Sequence, residues 1–297
     1  MMALTEEETM NEDLRTYTYY PGCSQHSTGL EYGLSTQAVF RHLGFGLEEL
    51  EDWNCCGASS AHAMDHNLAL ALPARNLALA QSAGRDLVTP CAACFSRMKG
   101  TDYVLRHDPK KRAEVEAVVG FQFTGDISVR PVLAVLYEDY RPEQISAQVS
   151  RSLVGLKVVT YYGCLLVRPP QVTEFDDPDD PHVMRELMQA AGAEVMPWSH
   201  ATDCCGAGLS LSRSDVVTGL VSRLVERARE AGAEALVTAC PLCQVNLEMR
   251  QSANPKMPAF YFTELLGLAF GLPEARKWWG KHLIDPRPVL RSAGLEH

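Results

Sequence analysis

One cysteine pattern occurs twice along this chain and constrains it more than any other feature. The first copy reads Tyr19-Tyr20-Pro21-Gly22-Cys23, then Asn54-Cys55-Cys56-Gly57-Ala58, then Val88-Thr89-Pro90-Cys91-Ala92-Ala93-Cys94. The second reads Tyr161-Tyr162-Gly163-Cys164, then Asp203-Cys204-Cys205-Gly206-Ala207, then Val237-Thr238-Ala239-Cys240-Pro241-Leu242-Cys243. In spacing the copies are C-x31-CC-x34-C-x2-C and C-x39-CC-x34-C-x2-C, and together they use all ten cysteines of the 297 residues. None is left over as an incidental core residue. Self-similarity on this scale points to two homologous halves, each of which must bring five distant sulfurs together.

The local pattern says where those sulfurs sit. β-Branched runs at 86–89, 156–162 and 235–238 each end at or just before a cysteine, which predicts short buried strands. Helical periodicity covers 67–82 and 216–231 between the CCG and CxxC motifs, with Gly84 and Gly232 as stops. Further helices are expected at 95–106 and 244–250, after each CxxC. This order predicts an α/β fold of two pseudo-symmetric, Rossmann-like halves with small, mostly parallel sheets. Cysteines then lie at strand C-termini and helix N-termini, where free N–H groups stabilise thiolate charge. The expected division is an acidic tail at 1–16, a first domain at 17–100, a helical connector at 101–152, a second domain at 153–290 and a tail at 291–297. The acidic, proline-rich 169–181 segment is expected to be a surface loop, and the apolar 261–270 segment a core helix. The closing Leu295-Glu296-His297 is read as a tag remnant and set aside.

Composition narrows the chemistry. A net charge of −10 without clustered Lys or Arg argues against a nucleic-acid surface. No apolar run approaches the ~18 residues of a membrane helix, so the expected location is the cytoplasm. Thiols are kept reduced there, which favours metal or redox chemistry over a disulfide framework. Structural zinc wants four ligands in a closed tetrahedron, whereas each half offers a lone cysteine, a vicinal pair and one CxxC. Five thiolates also exceed the shell of an ordinary cubane. Neighbouring side chains diverge, so a vicinal pair suits a polynuclear iron–sulfur assembly in which the two sulfurs address different irons. Zinc in one half stays open on these grounds.

The doubled C-x(31–39)-CCG-x(34)-C-x2-C pattern resembles the cysteine-rich CCG domain family. Two such domains, the YYPGC start and the YFTELLGLAFG segment near the C-terminus are most similar to the HdrB family, the B-type subunits of heterodisulfide reductases. The resemblance implies two noncubane 4Fe-4S clusters, one held by Cys23, Cys55, Cys56, Cys91 and Cys94, the other by Cys164, Cys204, Cys205, Cys240 and Cys243. It implies a catalytic role for Cys55, Cys56, Cys204 and Cys205 through the clusters, in reducing or forming a disulfide by two one-electron steps. It also implies partners: a ferredoxin-like HdrC-type protein carrying cubane clusters, a flavin-containing HdrA-type protein, and a small or protein-bound disulfide or thiol substrate. The alternative is a non-catalytic electron-transfer subunit of a dehydrogenase complex, with one 4Fe-4S cluster and one Zn. His26, His62, His66 and His200 lie near the motifs as possible proton donors. Lys157 and Arg168 flank Cys164 and are candidates to meet an anionic substrate.

Overall fold

The computed structural model describes residues 15–58, 61–252 and 254–296, without the side chains of His62 and Ala63. The acidic tail expected at 1–16 therefore lies almost wholly outside the described residues. The described residues form two four-stranded sheets. The first has β1 (Thr16–Tyr19), β2 (Gly46–Glu49), β3 (Leu87–Thr89) and β4 (Val129–Pro131) in the order β2-β1-β3-β4. The second has β5 (Lys157–Tyr161), β6 (Glu194–Val195), β7 (Ala235–Thr238) and β8 (Ala259–Tyr261) in the order β6-β5-β7-β8. Every pairing is parallel. Central strands β3 and β7 are buried along their whole length, as parallel strands covered by helices on both faces must be.

In the first half the principal helices are α1 (Leu30–His42), α2 (His66–Ala83) and α3 (Ala92–His107). In the second they are α4 (Val183–Ala190), α5 (Ser214–Glu230), α6 (Pro241–Met249) and α7 (Phe262–Ala269). The Asp65 carboxylate caps α2 by accepting the Leu68 N–H, and Gly84 closes it in the left-handed conformation that other residues resist.

The stretch 101–152 holds more than connecting helices. Helix α3 runs through its start, and β4 within it completes the first sheet by pairing with β3. A three-residue strand ending in proline leaves almost no periodic signal. The acidic 169–181 segment is likewise more than a surface loop: Asp176 is buried, and its carboxylate accepts the N–H groups of His182 and Val183 at the start of α4. Leu295, set aside as part of a tag remnant, is buried, and its carbonyl accepts a hydrogen bond of 2.8 Å from Arg151.

The halves interlock by exchange. Helix α1 of the first half packs on α7 of the second, with Ser35 and Thr263 hydroxyls 2.7 Å apart and the Tyr32 and Tyr261 rings stacked at 4.2 Å. Reciprocally, α4 of the second half packs on the segment following β4, and Tyr137 donates to Glu186 at 2.7 Å. Helix α7 is buried along its whole length, as expected of a core helix. Removing the stacked ring should open a large cavity at this seam. Tyr32→Ala is expected to lower unfolding free energy by about 3–5 kcal/mol, and Tyr32→Phe by under about 1 kcal/mol because its bond to the Ala239 carbonyl is long at 3.4 Å. Denaturant titration of both variants checks this.

Candidate functional site

In each half three adjacent strands end on one edge of the sheet, and all five cysteines follow those ends. Cys23 begins a short 3-10 turn after β1, Cys55 and Cys56 lie on the loop that leaves β2, and Cys91 caps α3 just after β3. Cys164, Cys204 and Cys205, and Cys240 repeat this after β5, β6 and β7. This edge, where the chain departs on opposite sides from β1 and β3, is where open α/β sheets bind ligands. Cys94 and Cys243 fall in the first turns of α3 and α6, among N–H groups that have no helical acceptor.

The structure places the predicted cysteines along these two sheet edges, closes one pair in each half, and leaves all ten as free thiols. Cys56 Sγ lies 3.4 Å from Cys94 Sγ, and Cys205 Sγ 3.6 Å from Cys243 Sγ. Across the seam Cys91 and Cys240 are near enough for each to shift the other's ionisation, so the two sets are neighbours. Glycine is needed beside them: at Gly22, with φ +69°, a Cβ would fall 2.9 Å from Cys94 Sγ, and at Gly163, with φ +64°, 3.1 Å from Cys243 Sγ. Tyr20 and Tyr161 each fix the neighbouring CCG loop, donating to the Asn54 carbonyl at 2.9 Å and the Asp203 carbonyl at 2.7 Å. Both tyrosines are legible as part of the repeat, yet sequence reasoning gives them no role.

Burial divides each set in the same way. Cys56, Cys91 and Cys94 are buried, as are Cys205, Cys240 and Cys243, while Cys23, Cys55 and Cys204 are exposed and Cys164 is half-buried. Each vicinal pair thus points one sulfur inward and one outward. Among the described residues, no three His, Cys, Asp or Glu side chains gather closely enough to hold a single metal ion. The thiols share protons in pairs. Cys56 is lowered to about 3 by hydrogen bonds from the Cys55 and Cys94 thiols, and Cys204 to about 6 by the Cys164 thiol and then the Gly206 N–H. Each half thus favours a thiolate at one member of a pair, while partners such as Cys55, Cys94, Cys164 and Cys243 are pushed up and keep their protons.

The other candidates fall elsewhere. His26 stacks on Trp53 and sits 3.7 Å from Glu49, His200 contacts Ser199 at 3.1 Å, and His66 is exposed at the start of α2. The His62 side chain lies outside the described residues. Lys157 is at the far end of β5 from Cys164, and Arg168 is turned to the Pro178 carbonyl and Asp179.

Sequence reasoning missed a cavity of about 350 Å³ at the seam, lined by Ser27, Thr28 and Glu31 beyond Cys23, by Gln244 and Val245 after Cys243, and by Lys281. Behind it His282 bridges Glu248 at 3.1 Å and Glu264 at 3.0 Å, all three side chains fully buried. Burial pulls His282 down, but Glu264 and Glu248 outweigh it and hold the imidazolium to about 11. Burial, with Glu264 adding to it, pushes the Glu31 carboxyl up to about 7. No local motif announces such a cluster, because its members are scattered over four segments.

Two measurements check these assignments. In metal-free folded protein, iodoacetamide at pH 7 should modify Cys204 first, as an accessible thiol with a low pKa, and leave the six buried cysteines unmodified, as read by peptide mass spectrometry. A carboxyl raised in the folded state binds its proton more tightly there than in the unfolded chain, so it lowers stability as pH rises from 4.5 through 7. Glu31→Gln, which never charges, should therefore gain roughly 1–3 kcal/mol over wild type at pH 8, with the difference vanishing toward acid pH.

Comparison with known proteins agrees with this geometry. The profile of the CCG cysteine-rich domain matches residues 17–99 and 158–248, and each segment contains all five cysteines of its copy. The chain is similar to the 8-methylmenaquinol:fumarate reductase membrane anchor subunit of Wolinella succinogenes, 29% identical over 279 residues that cover 91% of this chain and 98% of that one. It is also similar to the B-type subunit of the Ferredoxin/F(420)H(2)-dependent CoB-CoM heterodisulfide reductase of Methanosarcina acetivorans, 28% identical over 250 residues that cover 80% of this chain and 83% of that one. Among the described residues no helix is long and apolar enough to cross a membrane. A hypothetical protein from Helicobacter pylori of solved structure shares the fold at a TM-score of 0.72 and 12% identity over 92% of this chain, which spans 53% of that one. With both five-cysteine sets inside the matched segments, the chain belongs to the CCG cysteine-rich domain family.

Proposed function

We propose that this chain is the iron–sulfur redox subunit of a heterodisulfide reductase-like complex. In this reading Cys23, Cys55, Cys56, Cys91 and Cys94 hold one noncubane 4Fe-4S cluster, and Cys164, Cys204, Cys205, Cys240 and Cys243 hold the other. The observation that carries it is the equivalent delivery of five free thiols to the same sheet edge in both halves, three sulfurs buried in each. Paired sulfurs at 3.4 and 3.6 Å, glycine where a Cβ would collide, and hydrogen bonds that favour thiolate all fit such a group.

When bound, clusters of this type supply one-electron redox capacity in each half. The protein supplies the rest. The buried sulfurs anchor and keep water away, while Cys23 and Cys55 in one half and Cys164 and Cys204 in the other mark the face from which a substrate arrives. A disulfide takes two electrons and two protons to give two thiols, so two adjacent one-electron sites match one two-electron bond. Cys91 and Cys240 influence each other's ionisation across the seam, which supports two neighbouring sets, and the seam cavity between the Cys23 loop and α6 gives a small molecule room near them. The relative from Methanosarcina acetivorans, by name one component of a heterodisulfide reductase, supports assembly into a multisubunit complex. Within it, a ferredoxin-like HdrC-type partner with cubane clusters and a flavin-containing HdrA-type partner would relay electrons, since all ten cysteines here are committed.

A second reading, an electron-transfer protein without a substrate of its own, is favoured by the similarity to a fumarate reductase component. Zinc in one half belongs to that reading. Cys204→Ser and Cys205→Ser separate these possibilities. Each should lower iron per chain by about half, abolish disulfide chemistry and leave the first half's EPR signal intact. Wild-type iron content in either variant contradicts the assignment. Absence of any thiol-responsive signal in the wild type, with full iron, selects the electron-transfer reading.

A further inference from the structure

Two threonine hydroxyls stand at equivalent places in the two halves. Thr89 closes β3 two residues before Cys91, and Thr238 closes β7 two residues before Cys240. Both residues are fully buried, and among the described residues neither hydroxyl has a hydrogen-bond partner. A buried hydroxyl left unsatisfied is costly, so the same orphan at the same place in both halves calls for a shared kind of acceptor. Thr18, the other partnerless threonine in these sheets, does not recur: it lies opposite Leu87, and the residue opposite Leu236 in the second half is Val159.

Strand register shows which way the two hydroxyl-bearing side chains face. Residues side by side on neighbouring strands project from the same face of a sheet. Thr238 lies opposite Tyr161. Thr89 lies opposite Tyr20, because the ladder through Tyr19 and Val88 continues in the Tyr20 N–H, which donates to the Val88 carbonyl at 2.9 Å. These are the tyrosines that fix the two CCG loops. Burial raises both of their hydroxyls; after burial, the charges of Cys94, Cys56, Cys55 and Cys23 raise Tyr20, and those of Cys243, Cys205, Cys204 and Cys164 raise Tyr161. Each threonine therefore shares its sheet face with a tyrosine that looks onto four of the five sulfurs of its own half.

We propose that the Thr89 and Thr238 hydroxyls donate hydrogen bonds to sulfur of the iron–sulfur group that each cysteine set holds, and so raise its reduction potential. The inference rests on the proposed iron–sulfur reading of both halves. A donor at sulfur stabilises the more negative, reduced state. Matched donors hold the two one-electron sites at similar potentials, which suits two successive one-electron steps on one bond.

Redox titration followed by EPR on anaerobically purified whole protein tests this, with iron counted per chain in every sample. Valine keeps the shape of threonine and removes the donor. Thr89→Val is expected to keep wild-type iron and to lower the reduced-to-oxidised ratio of the first half about tenfold at fixed potential, a midpoint about 59 mV lower; Thr238→Val does the same to the second half. The Cys204→Ser variant, expected to retain only the first half's signal, assigns the two signals. Thr89→Ser and Thr238→Ser, which keep the hydroxyl, should stay near the wild-type midpoints. Valine variants with full iron and unchanged midpoints overturn the proposal. Should valine lower iron content, serine must restore both iron and midpoint; equal loss in the two variants assigns the threonines to packing and overturns it as well. Wild-type protein that binds no iron overturns the cluster reading itself, and the donor role falls with it.

Discussion

The architecture depends on one geometric constraint: three adjacent parallel strands must end together if five sulfurs separated by dozens of residues are to meet. Strands β2, β1 and β3, and in the second half β6, β5 and β7, satisfy it. Parallel pairing demands crossover connections, and the helices that supply them begin beside the same edge. The CxxC motif exploits this twice. Its first cysteine occupies the N-cap position and its second lies in the first turn, so both stand at a helix N-terminus where backbone N–H groups lack helical acceptors. Gly22 and Gly163 then allow the preceding loop to close onto Cys94 and Cys243.

Duplication contributes more than a second copy. Helix α1 completes its packing against α7 and α4 against the segment after β4, so neither half buries its own crossover helix alone. The Tyr32–Tyr261 stack and the buried Glu248–His282–Glu264 cluster lie along this seam, and Cys91 and Cys240 sense each other's charge across it. Exchange fixes the spacing of the two cysteine sets by packing rather than by a linker.

The cysteine repeat and the longer elements are legible because they rest on local signals. Strand 235–238 matches its expectation residue for residue, and the helix expected at 67–82 is His66–Ala83, closed at the glycine stop read from the sequence. β4 is not legible, since three residues ending in Pro131 carry no period. Asp176 reads as one more acidic loop residue, and only the tertiary structure shows its carboxylate capping α4 from a buried position. The seam cavity and the Glu31 environment are tertiary facts about residues far apart in the chain. Histidines near the motifs draw attention by proximity in sequence, and the contacts that His26 and His200 make are with Trp53, Glu49 and Ser199.

The central claim is that both halves carry the same kind of iron–sulfur group. Iron, acid-labile sulfide and zinc, quantified per chain in anaerobically purified protein, test it most directly. About eight irons and no zinc are expected, with EPR signals that respond to a small thiol. About four irons with one zinc would contradict it, confine redox chemistry to one half and leave the other a structural support.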